Sequence, residues 1–160
     1  MEDLPTELSI TLLMTPSMAN FAGNVHGGTI LKYLDEAAYA CASRYSGLYV
    51  VTRSVDHVVF REPVRVGELV TFLAAVNHTG RTSIEVGIKV MTENIRARTV
   101  RHTNSSFFTM VALDDDRKPT AVPALRPGNE EQRRRYAQAL QRRKIRQEIE
   151  ERYRQIKEGE

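Results

Sequence analysis

The sequence predicts an α+β domain in which an antiparallel sheet packs against one helix. One segment has apolar residues at helical spacing, whereas five others have the features of strands, either alternation of apolar with polar residues or a high content of β-branched and aromatic residues. Four of these strands follow the helix and are separated by short turn signals, which favours antiparallel neighbours. At 160 residues, the chain has the length of one ordinary domain.

The predicted elements follow the order strand, helix and four strands, and we expect the four strands to form a meander with hairpin-like turns. Their ranges are residues 7–14, 28–45, 49–60, 69–77, 82–91 and 99–113. The helix is indicated by residues on one apolar face, with small side chains that permit close packing: Ile30, Leu31, Leu34, Ala37, Ala38 and Cys41. Ser46-Gly47 is a signal that stops this helix.

A second helix is predicted over residues 130–157, after a linker that three prolines keep extended. It belongs to a C-terminal segment, residues 126–160, that we separate from a body over residues 1–125. Up to residue 157 this segment holds 11 Lys or Arg and 5 Asp or Glu, whereas the body holds 12 Lys or Arg and 13 Asp or Glu. Such a positive surplus suits the phosphates of a nucleic acid or of a nucleotide-like cofactor.

Composition excludes several classes of protein. Hydrophobic residues make up 41% of the chain. No apolar run approaches the roughly 20 residues that span a bilayer, so we predict no membrane partner. Cys41 is the single cysteine, which excludes an internal disulfide and favours a reducing compartment. Residues 1–5 lack the basic and apolar regions of a signal peptide. We therefore predict a cytoplasmic protein.

One stretch concentrates residues that can carry chemistry. Gly27 and Gly28 open the first helix, where amides without helical partners can donate to an anion or to a carbonyl oxygen that becomes one. Asn24, three residues earlier, has an amide that donates and accepts. Asp35 follows Gly28 by about two helical turns. Because its neighbours are apolar, we expect a covered carboxylate with a pKa raised toward that of a general base.

Each of these features also has an ordinary structural interpretation. An isolated aspartate on a helix is usually solvated, and Asn24 can simply fix a loop by bonding to nearby backbone. The glycine pair can be no more than a tight turn into the helix. The residues alone leave these alternatives open.

The run from Asn24 to Lys32, followed by Leu34-Asp35-Glu36-Ala37, resembles the hot-dog-fold acyl-CoA thioesterases. It is most similar to the brain-type acyl-CoA hydrolases and their bacterial single-domain relatives, and the resemblance extends over residues 8–147. It implies the hot-dog fold, in which an antiparallel sheet wraps around a central helix. It also implies an enzyme that hydrolyses acyl-CoA to a carboxylic acid and coenzyme A.

The resemblance assigns roles to the residues of this stretch. It implies that Asp35 is the general base or nucleophile, and that Asn24 positions water or the thioester carbonyl. Gly27 and Gly28 would polarise that carbonyl, whereas His26 receives no catalytic role and is expected to be structural. The brain-type relatives carry two tandem copies of the domain, each with part of the catalytic pair. This chain has one copy with both residues, which implies a homo-oligomer, a dimer assembled as a trimer of dimers, in which Asn24 of one subunit meets Asp35 of its partner.

Three other segments resemble the coenzyme-binding elements of the family, over residues 52–56, 80–85 and 142–146. The candidate residues on them are Arg53, Ser54, Val55, Thr82, Ser83, Ile84, Arg143 and Lys144. Without the resemblance, they would pass for ordinary strand, hairpin and charged-helix residues. Coenzyme A is part of substrate and product, so no separate cofactor and no metal is predicted. The sequence has no phosphate loop, dinucleotide fingerprint or serine-esterase motif.

Two other functions stay open from the sequence. A hot-dog domain could sense acyl-CoA without catalysis, with its basic helix on nucleic acid. No helix-turn-helix is evident, and we predict no nucleic-acid partner. Alternatively, His26 and Asp35 together could serve a hot-dog enoyl-CoA hydratase or dehydratase.

Overall fold

A computed structural model describes residues 3–159 of the chain. Met1, Glu2 and Glu160 lie outside the described residues, and so do the parts of our predictions for the two termini that fall on them. The elements are β1 (Glu7–Leu13), a 3-10 turn (Pro16–Met18), α1 (Gly27–Ser46), β2 (Tyr49–Val55), β3 (Leu69–Thr79), β4 (Ser83–Asn94), β5 (Thr99–Leu113) and α2 (Glu130–Glu158). The α+β class, the five strands and both helices are therefore confirmed.

The strands form one antiparallel sheet in the order β1-β3-β4-β5-β2. The predicted four-strand meander is wrong in one respect, because only β3, β4 and β5 follow one another in space. Strand β2 pairs with β5 and lies at the free edge of the sheet. A two- to five-residue hairpin forces its strands to be neighbours, but the long connection over residues 56–68 does not. The predicted strand over 49–60 also ends early, at Val55, where the chain leaves the sheet.

Helix α1 lies on the inner face of the sheet and supplies one side of the core. Its buried residues follow the predicted helical spacing: Ile30, Leu34, Ala37, Ala38, Cys41, Ala42 and Tyr45. They meet fully buried residues of the strands, among them Phe72, Ile84, Phe108 and Met110. The sheet thus wraps around α1, which is the arrangement that the resemblance implies.

Helix α2 lies on the opposite, outer face of the sheet. Asn129 caps its start by accepting a hydrogen bond from the amide of Gln132 at 2.8 Å. Of its residues, Ala139 is buried, whereas residues 147–158 are exposed on all sides. The linker before α2 packs on the body, since the Tyr45 hydroxyl donates to the Pro123 carbonyl oxygen at 3.0 Å. The boundary at residue 125 stays a prediction. Within residues 3–159, neither helix combines the length and apolar character needed to cross a bilayer.

Candidate active site

The loop before α1 is closed by side chains that satisfy its backbone. Asn20 Oδ1 accepts from the amides of Ala22 and Asn24, at 3.0 and 3.1 Å. His26 is the N-cap residue of α1, and its Nδ1 accepts from the Gly28 amide at 3.1 Å. His26 therefore has a capping role, with the ring proton on Nε2 in this arrangement.

This cap decides which of the two glycine amides is free. The Gly28 amide is occupied by His26, whereas the Gly27 amide has no hydrogen-bond acceptor among residues 3–159. Gly27 lies next to Phe60, since a Cβ added there would be 3.8 Å from the ring. Of the predicted pair of donors, only Gly27 therefore presents its amide at the helix start.

Asp35 lies on an exposed stripe of α1, not in a covered cleft as we expected. Leu31 and Tyr39, one turn before and after it, are also exposed, whereas Leu34 and Ala38 face the core. The reason is geometric, because adjacent residues of a helix point about 100° apart. Apolar neighbours in sequence therefore do not bury Asp35.

The Asp35 carboxylate is nevertheless held in place. The Thr52 hydroxyl of strand β2 donates to Asp35 Oδ1, with 2.5 Å between the two oxygens. The pair lies in an open depression beside the edge strand, which the rings of Tyr39 and Tyr49 border at 6.2 Å from each other. A polar anchor within apolar surface is typical of sites that bind an amphipathic ligand or a second protein.

A second site feature is a cleft of about 190 Å³ between α2 and the outer face of the sheet, which we call the α2 cleft. Its lining includes four residues that the sequence predicted for coenzyme binding. The structure adds six more, three of them charged: His78, Glu85, Thr109, Arg146, Gln147 and Glu150. The four are Arg53, Ser54, Ser83 and Arg143. The Thr109 hydroxyl is buried without a hydrogen-bond partner among the described residues. A basic cleft with free hydroxyl groups suits a phosphate-bearing ligand.

The other four predicted coenzyme-binding residues do not line this cleft. Ile84 is fully buried and its side chain belongs to the core, so it can offer a ligand backbone groups alone. Val55 and Lys144 are exposed, and Thr82 is half-buried in the β3–β4 turn. Lys144 follows Arg143 by one residue, and that step turns its side chain by about 100° around the helix.

Burial and charge shift the pKa of groups beside the α2 cleft. Burial lowers the pKa of His78, and the positive charge of Arg143 adds to that effect. Burial raises the pKa of Asp56, although the neighbouring Arg146 opposes the shift. His78 is therefore held toward its neutral form, so that the positive charge of the cleft comes from its arginines.

No group of three or more His, Cys, Asp or Glu side chains within residues 3–159 is arranged to hold a metal ion. The expectation that no metal or separate cofactor takes part stays a prediction.

The sequence model described as the thioesterase superfamily matches residues 22–99. A Helicobacter pylori protein named VdlD is 48% identical over 141 residues, which cover 88% of this chain and 80% of that protein. A hexameric acyl-CoA thioesterase solved without ligand is 36% identical and has a TM-score of 0.87, covering 91% of this chain and 93% of that chain. This chain belongs to the hot-dog acyl-CoA thioesterases and is an acyl-CoA thioester hydrolase.

An acyl-CoA hydrolase of Staphylococcus aureus, solved with butyryl coenzyme A and coenzyme A, is 28% identical with a TM-score of 0.87, covering 96% of this chain and 94% of that chain. Solved variants of that protein replace one asparagine, one aspartate and one threonine by alanine; the asparagine precedes the aspartate by 15 residues, and the threonine follows it by 17. Here Asn20 precedes Asp35 by 15 residues and Thr52 follows it by 17, whereas Asn24 precedes it by 11.

Sequence reasoning therefore missed two candidate residues. Thr52 lies in a segment that the resemblance selected for coenzyme binding, but its contact with Asp35 depends on how β2 packs on α1. Asn20 lies outside the glycine-bearing motif that drew attention to Asn24. For both residues, the signal that could have found them is the spacing of an asparagine and a threonine from an aspartate in the Staphylococcus aureus relative.

Proposed function

We propose that Asp35 is the group that drives thioester hydrolysis in this chain, as a general base toward water or as a nucleophile toward the carbonyl carbon. One observation carries the proposal: Thr52 holds the carboxylate of Asp35 on the surface of α1, in the depression beside β2. The matching asparagine, aspartate and threonine spacing in the Staphylococcus aureus protein supports the same assignment.

In the general-base form of the reaction, Asp35 takes a proton from water while the water oxygen bonds to the thioester carbon. The carbonyl oxygen becomes negative in the tetrahedral intermediate, and the free Gly27 amide is the donor that we propose for it. The carbon–sulfur bond then breaks, and the thiolate of coenzyme A receives the proton that Asp35 took from water. The products are a carboxylic acid and free coenzyme A, without a metal or redox cofactor.

Two asparagines are candidates for positioning water or the carbonyl. Asn24 is the one that the glycine motif favours, and Asn20 is the one that the spacing favours. Asn20 uses its Oδ1 to close the loop. Its Nδ2 has no acceptor within residues 3–159, so two N–H donors remain for a ligand.

We propose that the site is completed by a second copy of this chain. Strand β2 is a free edge, and unpaired strand edges are templates for pairing with another chain. Exposed apolar side chains lie on β2 and on the exposed stripe of α1: Leu31, Tyr39, Tyr49 and Val55. A partner there would cover Asp35 and bring its own asparagine loop close. The hexameric relative supports a dimer that assembles further into a trimer of dimers.

We propose that the α2 cleft binds the phosphate groups of coenzyme A, with Arg53 and Arg143 as cations and Ser54 and Ser83 as hydroxyl donors. Val55, Thr82, Ile84 and Lys144 remain candidates outside the cleft, Ile84 through its backbone groups alone. The single cysteine fits a reducing compartment, which supports a cytoplasmic location.

Release of coenzyme A from acyl esters between acetyl and palmitoyl tests the proposal directly. We expect turnover of some chain lengths, and a fall in kcat of about 100-fold or more in Asp35→Asn, because a general base typically contributes that much. Glu36→Gln is the matched control, since it removes the other exposed carboxylate that lines the same depression.

Full activity of Asp35→Asn would refute the assignment of Asp35. Binding of coenzyme A without turnover of any ester would instead favour the acyl-CoA sensor. Hydration of enoyl-CoA without thiol release would favour the hydratase.

A further inference from the structure

Helix α2 is held on the sheet by buried ion pairs, in addition to the buried Ala139 and the ring of Tyr136, which packs on His78 at 4.9 Å. Glu85 of β4 is almost fully buried on the outer face, and Arg142 and Arg146 of α2 both donate to it. The closest of these contacts are 2.6 Å from Arg142 Nη2 and 3.1 Å from Arg146 Nη2. Asn77 Nδ2 donates to the same carboxylate at 3.2 Å.

The group around Glu85 balances its own charge. Arg146 also donates to Asp56 at 2.8 Å, so two carboxylates face two guanidinium groups. The guanidinium of Arg142 additionally stacks on the Phe107 ring at 3.7 Å. We call Glu85, Asp56, Arg142 and Arg146 the Glu85 cluster. Removing the central carboxylate would leave two partly buried guanidinium groups without their main partner, a strongly unfavourable arrangement.

Arg143 lies between the two arginines of the cluster in sequence, but its side chain serves the α2 cleft. An added Cβ at Gly80 would be 3.2 Å from Arg143 Nη1, so the guanidinium lies directly over the β3–β4 turn beside Ser83. Within residues 3–159, Arg143 makes no ion pair with a carboxylate. Its position is therefore set by the backbone of α2, which its neighbours Arg142 and Arg146 hold in place.

We infer that Glu85 is a positioning residue for coenzyme A: by holding Arg142 and Arg146, it fixes α2 so that Arg143 presents its charge to the α2 cleft. The inference rests on the proposed role of that cleft in binding the phosphates of the substrate. Glu85 also lines the α2 cleft, but its carboxylate is occupied by Arg142 and Arg146, so its role is to position them rather than to bind phosphate.

The test is the affinity of the full-length protein for free coenzyme A, measured by calorimetry. We expect Glu85→Gln to weaken binding about tenfold, because Arg143 loses its fixed position and with it a charge-assisted contact to phosphate. Arg143→Ala should weaken binding by a similar factor. The double variant should bind no more weakly than Arg143→Ala, because both substitutions remove the same contact, that between Arg143 and phosphate.

A second readout separates positioning from general damage to the fold. Acyl-pantetheine carries the same thioester but none of the phosphates of coenzyme A. We expect Glu85→Gln to hydrolyse it with unchanged kcat/KM, while KM for acyl-CoA rises and kcat is kept. Glu68→Gln is the matched control, because Glu68 is also a buried glutamate paired with an arginine, Arg101, away from the cleft. It should leave coenzyme A affinity within about twofold of the unaltered protein.

The inference is overturned if Glu85→Gln binds coenzyme A normally, or if its turnover of acyl-pantetheine falls as far as its turnover of acyl-CoA. It is also overturned if the effects of Glu85→Gln and Arg143→Ala on affinity add. If Glu85→Gln does not fold, Arg142→Lys serves instead, because lysine keeps the charge but loses the forked contact and the stacking. A protein that binds coenzyme A but hydrolyses neither ester would refute the proposed function alone. A protein that does not bind coenzyme A would overturn the inference as well.

Discussion

The hydroxyl of Thr52 donates a hydrogen bond to the carboxylate of Asp35, and this contact joins the edge strand β2 to the exposed face of α1. A carboxylate that accepts a hydrogen bond is held in one orientation. Thr52 is therefore a positioning residue for the group that we propose as the base.

We expect Thr52→Val to lower kcat about tenfold, since one hydrogen bond to a charged group is worth roughly 1.5–3 kcal/mol. Thr52→Ser keeps the hydroxyl and should retain most of the activity. The measurement is turnover at saturating acyl-CoA. Equal kcat values for Thr52→Val and the unaltered protein would show that the contact does not matter for the reaction.

Replacing each asparagine by aspartate distinguishes Asn20 from Asn24. Aspartate keeps the acceptor oxygen that closes the loop but lacks the N–H donors. We expect Asn20→Asp to lose about 100-fold or more in kcat and Asn24→Asp to lose much less. Circular dichroism and oligomer size check that both variants fold. The opposite ranking would assign the role to Asn24.

The thiol of Cys41 should resist modification in the folded protein. Its side chain is 1% exposed, and burial raises its pKa to about 12, so the reactive thiolate is scarce at neutral pH. We expect a thiol-reactive dye to label the native protein far more slowly than the protein in denaturant. Cys41→Ala supplies the unlabelled baseline. Rapid native labelling would mean that the core around α1 opens readily.

Glu68 should make the fold sensitive to acid. Burial raises the pKa of Glu68, but hydrogen bonds from Arg101 and the Arg65 amide, with their charges, outweigh it and lower the pKa overall. A lowered pKa in the folded state stabilises the protein above the unfolded value, near 4.5, and this contribution is lost as pH falls through the folded value.

Glu68→Gln should therefore destabilise the protein by roughly 2 kcal/mol at pH 7, because it breaks a largely buried ion pair. The difference in Tm between the two proteins should shrink as the pH falls below about 4. Thermal unfolding at a series of pH values gives the comparison. A constant difference in Tm would show that Glu68 is not the group that titrates.

The secondary structure was largely predictable because it depends on local patterns. The apolar face of α1 and the alternation along β4 each repeat at a fixed period, which buries the same residues wherever the element packs. The position of β2 was not predictable in this way. Its pairing with β5 joins residues that lie far apart in sequence, and the connection to β3 is too long to impose a neighbour.

The site was predictable in part for the same reason. The glycine-bearing motif located Asp35 and the start of α1, since these lie within a few turns of each other. The exposure of Asp35 depends on the direction in which one helix position points relative to the sheet, and its contact with Thr52 depends on the packing of β2. Likewise, the α2 cleft gathers residues from five elements, and only the folded chain shows that Arg53 and Arg143 share it.

Strand β2 pairs Thr52 with Met110 and Ser54 with Thr109, so that Arg53 is an extra residue in a β-bulge. Thr52 contacts α1 on one side, whereas Arg53 and Ser54 both line the α2 cleft on the other. Deleting Arg53 would restore regular pairing without moving either neighbour to the opposite face. A single codon can therefore add or remove this positive charge, which lets affinity for an anionic ligand evolve without any change to the core or to Asp35.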